Sequence, residues 1–120
     1  MQFDIDITRL STNKEDEDAI YKVSLKGELT FNLHRDFSSA MSDLIQKGIR
    51  KIIIDFNDLD MIDSVGIGIL IKYEKQLQKE NGELVLTRCS DQILNLFIPV
   101  NLEKLIKIFK NLDDAMNYFT

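Results

Sequence analysis

The 120-residue sequence has one cysteine, one proline, one histidine and no tryptophan, and each scarcity removes a class of protein. A lone Cys89 can close no internal disulfide and can build no multi-cysteine metal site, and it fits a reducing compartment. Positive charge is also short, since 15 Lys and Arg stand against 20 Asp and Glu, for a net charge of −5. Proteins that grip a phosphate backbone usually present a basic stripe, so no direct nucleic-acid partner is expected. Long apolar runs are missing as well. A membrane-spanning helix needs ~20 apolar residues, whereas the longest candidate here, Val65 to Ile71, contains Gly66 and Gly68 and runs straight into Lys72. The first ten residues carry Asp4 and Asp6 and show no basic start before an apolar stretch, so no secretory leader is read there. With no repeat, linker or low-complexity segment, the expectation is a single cytoplasmic domain spanning 1–120, with no membrane partner. The 44% apolar fraction is enough to build its core without metal or disulfide.

What is present is a change of period along the chain. Phe3, Ile5 and Ile7 alternate with polar residues, as do Tyr21, Val23 and Leu25, and each run predicts a strand with one wet face. Between them the polar stretch 11–18, with its acidic run at 15–18, predicts a long solvated hairpin loop. From Asp36 the spacing becomes helical, with Phe37, Ala40, Met41, Leu44 and Ile45 on one face and Gly48 placed to end the helix. Ile49 to Phe56, with three consecutive isoleucines, predicts a strand covered on both faces. A second helix is expected from about Ser64 to Asn81, stopped by Gly82, followed by a strand over Glu83 to Arg88. Ser90 is placed to cap a short helix that Pro99 ends, Leu105 to Phe109 forms a last apolar strand, and Asn111 caps a final helix with Leu112, Ala115, Met116 and Phe119 inward. The fold class is therefore α/β: an opening hairpin, then alternating strands and about four helices packed on a mixed sheet with right-handed crossovers.

The segment Asp60-Met61-Ile62-Asp63-Ser64-Val65-Gly66-Ile67-Gly68 carries the functional information. It opens the long helix, where unpaired backbone N–H groups and partial positive charge favour an anion. Two glycines within three residues cost helix stability, so something other than helix stability is being served. A dinucleotide fingerprint is unsupported, because Ile71 stands where the third glycine is required. A nucleophile elbow lacks the glycine two residues before the serine, and His34 is the lone histidine that could serve as base. Two readings stay open on the residues alone: Ser64 as a plain helix cap beside Asp63, or Ser64 as a phosphorylation site gaining −1.5 to −2 charges at neutral pH.

Asp63-Ser64-Val65-Gly66-Ile67-Gly68, with Ile52-Ile53-Ile54-Asp55-Phe56 and Gly27-Glu28-Leu29 upstream and Asp114-Ala115-Met116 near the end, resembles the STAS domain family, in its anti-sigma factor antagonist type. The resemblance implies a STAS-like mixed sheet and a binding module rather than an enzyme, with no cofactor, metal or catalytic residue. It implies that unmodified Ser64 permits sequestration of an anti-sigma factor with serine kinase activity, and that phosphorylation of Ser64 releases it until a phosphoserine phosphatase resets the switch. The partner surface is then expected at Asp63, Ser64, Val65, Gly66, Ile67, Gly68 and Thr30. Thr30 stands where the family often has aspartate, and Ile98-Pro99-Val100-Asn101-Leu102 replaces a common threonine-glycine-leucine turn. A non-phosphorylated STAS adaptor, or a module binding a small anion, is the alternative.

Overall fold

The computed structural model describes residues 3–10, 18–31 and 34–120. The acidic stretch expected to form the hairpin loop falls at 11–17, outside the described residues, apart from Asp18 at its end. Five strands lie in sequence order across one sheet: β1 (Phe3–Arg9), β2 (Ile20–Leu29), β3 (Lys51–Ile62), β4 (Glu83–Thr87) and β5 (Ile108–Phe109). The first pair is antiparallel, as a hairpin requires, and the other three pairs are parallel. Parallel neighbours need crossovers, supplied by α1 (Arg35–Gln46), α2 (Ser64–Lys79) and α3 (Asp91–Phe97). Three right-handed crossovers that all step the same way must lie on the same face of the sheet.

The core follows that geometry. Phe37, Met41, Leu44 and Ile45 of α1, Ile67, Leu70, Tyr73 and Leu77 of α2, and Ile93 and Phe97 of α3 share one buried cluster with Val23, Leu25, Ile52, Ile54, Leu84 and Leu86 of the sheet. The opposite face is covered by α4 (Leu112–Phe119), whose Ala115, Leu112, Met116 and Phe119 pack on Ile20, Ile53 and Val85. Because Ile52 and Ile54 point to one layer and Ile53 to the other, the isoleucine run is buried on both sides, as its composition predicts. Ser90 caps α3 by accepting the Ile93 N–H at 3.2 Å, and Asn111 caps α4 by accepting that of Asp114 at 2.8 Å.

Three boundaries differ from the sequence expectation, each for a physical reason. β3 does not stop at Phe56 but runs on to Ile62, pairing with β2 through register shifts at Ser24/Lys26 and Gly27/Glu28. The shifts change the burial period, so Phe56, Leu59 and Ile62 go inward at every third residue. At the end of α2, Asn81 rather than Gly82 takes the left-handed conformation, with φ 63°. Gly82 instead lets two backbones touch, since a Cβ there would lie 2.7 Å from the Arg50 carbonyl oxygen. The last strand shrinks to Ile108–Phe109, because the Leu105 and Ile106 amides turn back to the Leu102 carbonyl, both at 2.9 Å, instead of joining the sheet.

Candidate functional site

The C-terminal ends of β2 and β3 and the start of α2 meet at one point, and Asp63 ties them together. The Asp63 N–H donates to the Leu29 carbonyl at 3.3 Å, closing the β2–β3 ladder. Its backbone is extended, with φ −108° and ψ −175°, which makes it the last residue outside the helix. Its carboxylate then divides in two directions: Oδ1 accepts the Gly66 N–H at 3.0 Å and Oδ2 accepts the Phe31 N–H at 2.9 Å. Burial raises the Asp63 carboxyl, but hydrogen bonds from the amides of Gly66, Phe31 and Val65 outweigh it, and its pKa falls below the ordinary value of 3.8. The ionised cap is thus the favoured form.

This arrangement corrects the reading of Ser64 as the cap. Asp63 fills that position, and Ser64 is the first helical residue, its side chain exposed. Among the described residues, no imidazole or carboxylate is hydrogen-bonded to the Ser64 hydroxyl. The Cys89 thiol, which burial and the Asp55 charge push up to about 12, stays protonated at neutral pH and is a poor nucleophile.

The remaining expected partner residues separate by direction. Gly68 is exposed, and a Cβ built on it meets nothing within 4 Å. Val65 and Thr30 are half-buried, and the Asp63 latch to Phe31 brings Thr30 beside the cap. Ile67 and Gly66 face inward, Ile67 into the core. A Cβ on Gly66 would lie 2.5 Å from the Leu29 carbonyl oxygen and 2.7 Å from Ile62 Cγ1, so this glycine permits β2 to run against the helix start.

Sequence reasoning missed Phe31. It is 67% exposed although large and apolar, and its amide is bound by the Asp63 carboxylate, while Met61, 48% exposed, lies in β3 two residues before Asp63. Exposed apolar side chains grouped beside polar ones mark contact surfaces. The neighbourhood is also acidic, with an open hollow lined by Asp4, Lys26, Glu28, Asp58 and Asp60 at the ends of β2 and β3. The site is a helix start capped by Asp63, with one exposed hydroxyl, an exposed aromatic and an exposed thioether on the adjoining segments, on the edge of a negative surface.

A mixed five-stranded sheet with three helices on one face and a capping helix on the other places the chain among small α/β modules. The STAS domain pattern matches residues 11–115, and the chain belongs to the STAS domain family. It is 27% identical over 92 residues to the anti-sigma-B factor antagonist of Staphylococcus aureus, covering 77% of this chain and 85% of that protein. Its fold superposes on an anti-sigma factor antagonist from Mycobacterium paratuberculosis with a TM-score of 0.77 at 22% identity, covering 95% of this chain and 94% of that one. It also superposes on the Bacillus cell fate determinant SpoIIAA in its phosphorylated form with a TM-score of 0.68 at 19% identity, covering 99% and 100%. Among the described residues no helix is long and apolar enough to cross a membrane.

Proposed function

We propose that this chain is an anti-sigma factor antagonist whose binding is switched by phosphorylation of Ser64. The observation that carries the reading is the division of labour at the start of α2: Asp63 caps the helix, while the Ser64 hydroxyl stands exposed with no structural task. The similarity to the antagonist of Staphylococcus aureus supplies the partner class, an anti-sigma factor. That factor is also the kinase in this reading. It transfers the γ-phosphoryl group of ATP to the Ser64 oxygen, releasing ADP as the bond to the β-phosphate oxygen breaks and the hydroxyl proton passes to a base of the kinase. A phosphoserine phosphatase reverses the modification.

The switch works through the interface. Unmodified, the surface offers Ser64, Gly68, Phe31 and Met61 to a closely fitting partner. Burying a phosphate dianion in that contact without a cationic partner costs several kcal/mol, and Asp60 and Asp63 add like-charge repulsion. A loss of about 4 kcal/mol is roughly a thousandfold in affinity. Incubation with the anti-sigma factor and ATP, followed by mass spectrometry, is expected to place one phosphate on Ser64 and none on Ser64→Ala. Phosphate at another residue, or none, refutes the assignment.

A further inference from the structure

We propose that Asp63 is the positioning residue of this switch: by occupying the Gly66 amide in the first turn of α2 and setting its charge beside Ser64, it disfavours a phosphate folded back onto the helix and turns that group outward, toward the docking partner. The inference rests on the reading of Ser64 as the modified residue and adds where its phosphate goes. A helix start is ordinarily a seat for a phosphate, since free N–H groups and the dipole both attract it. Here a carboxylate already fills part of that seat. Both Asp63 oxygens are engaged, one on Gly66 and one on Phe31, so a phosphate that took the Gly66 amide would have to displace the cap and lie against a carboxylate held in place from the other side.

The surrounding charge acts in the same direction. Glu28 at the end of β2, Asp60 on β3 and Asp63 itself are carboxylates, against Arg35 and His34 at the start of α1, where the His34 ring lies 6.5 Å from that of Phe31. On β4's side, Arg88 is already engaged by Asp55. A dianion on Ser64 is thus repelled by the carboxylate beside it and left with solvent as its favourable direction. That geometry makes the modification obstructive, because a phosphate folded onto the backbone would leave the contact surface largely intact.

The test needs neither kinase nor partner. Phosphoserine is placed at position 64 during synthesis, and its second ionisation is followed by ³¹P NMR against pH at low ionic strength, alongside amide exchange at Phe31. A phosphate seated on helix amides titrates below the ordinary value of about 6, whereas one held beside an ionised carboxylate titrates above it. The expected result is a midpoint above 6, lowered by half a pH unit or more in Asp63→Asn, with Phe31 amide exchange within twofold of the unmodified protein. Asparagine caps helices nearly as well as aspartate, and circular dichroism confirms that the variant is folded. A midpoint at or below 6, a midpoint that Asp63→Asn does not move, or a tenfold acceleration of Phe31 exchange overturns the proposal. Should the titration come out as expected while no kinase modifies Ser64, the positioning role stands and the phosphoswitch reading falls.

Discussion

Adding one methyl group at Gly66 and at Gly68, two residues apart on the same helix, is expected to change stability in opposite directions. At Gly68 a Cβ meets nothing within 4 Å, so Gly68→Ala only reduces the freedom of the unfolded chain and improves helix propensity, a gain of about 0.4–1 kcal/mol. At Gly66 the same methyl arrives 2.5 Å from the Leu29 carbonyl oxygen and 2.7 Å from Ile62 Cγ1. The oxygen belongs to the β2 backbone and accepts the Asp63 N–H, so it cannot swing aside as a side chain would. Overpacking of this kind costs about 1–3 kcal/mol. Subtracting ~1 kcal/mol of helix propensity leaves Gly66→Ala destabilised by up to about 2 kcal/mol. For a domain of this size each kcal/mol moves the melting temperature by about 3–6 °C. Calorimetry is therefore expected to show Gly66→Ala melting several degrees below the parent and Gly68→Ala a few degrees above it. Equal shifts in one direction would refute the packing argument. The pair also separates fold from function: Gly68→Ala is predicted to be more stable yet to bind the anti-sigma factor less well, because its new methyl projects into the contact surface beside Ser64.

Phe31→Ala is expected to leave the melting temperature within about 2 °C, since the ring is largely solvated, while weakening partner affinity tenfold or more, as loss of an aromatic anchor does; calorimetry and isothermal titration read the two effects. Asp63→Ala is expected to cost about 2 kcal/mol in urea denaturation, from the lost cap and the lost tie to Phe31, whereas Ser64→Ala stays within about 0.5 kcal/mol. Because the Asp63 pKa is lowered on folding, its contribution is present above the unfolded carboxyl value and fades as pH falls through the folded one, so the two alanine variants should converge as the pH falls below the ordinary carboxyl range. Glu74 gives the opposite sign. Burial raises its pKa despite hydrogen bonds from the Leu84 amide and Gln78, so it favours the folded state below the unfolded value and that contribution is lost as pH rises through the folded one. Glu74→Gln keeps an acceptor for Leu84 without the buried charge, and its urea midpoint is expected to change less than the parent's between pH 5 and 8. Arg88→Ala strands the buried Asp55 carboxylate and is expected to cost about 3 kcal/mol, with Arg88→Ala/Asp55→Ala costing less than the single change; a double variant worse than Arg88→Ala argues against the pair.

The legible parts of the fold were those where a local pattern has a single physical solution. The stripe of Phe37, Met41, Leu44 and Ile45 can be buried only by a helix, and three adjacent isoleucines suit a strand with a layer on each side. The length of β3 was not legible, because the bulges that change its period are a property of its pairing with β2 and leave no mark within β3 itself. The helix cap was ambiguous for a different reason. Asp63 and Ser64 are adjacent and both are good caps, and the choice is made by the ladder: β3 stays extended through Asp63, whose N–H is bound to Leu29. Phe31 was invisible because its amide's partner lies 32 residues further along the chain, and a lone aromatic after a strand carries no periodic signal.

Under the proposed reading, the adjacency of Asp63 and Ser64 lets a regulatory modification be combined with a small fold. A domain of this size has only a few kcal/mol to spare, so a switch residue that also capped its helix would weaken the scaffold whenever it was modified or displaced. Placing the cap one residue earlier removes that conflict. The aspartate supplies a permanent negative charge to the helix start, fastens β2 to α2 through Phe31, and leaves the serine hydroxyl with no duty to the fold. The same carboxylate fills the Gly66 amide and sets a fixed negative charge at the helix start, which disfavours a free phosphate or sulfate there. On that reading a charge introduced there by covalent transfer acts on recognition, and its effect on stability is confined to repulsion from the neighbouring Asp63 carboxylate.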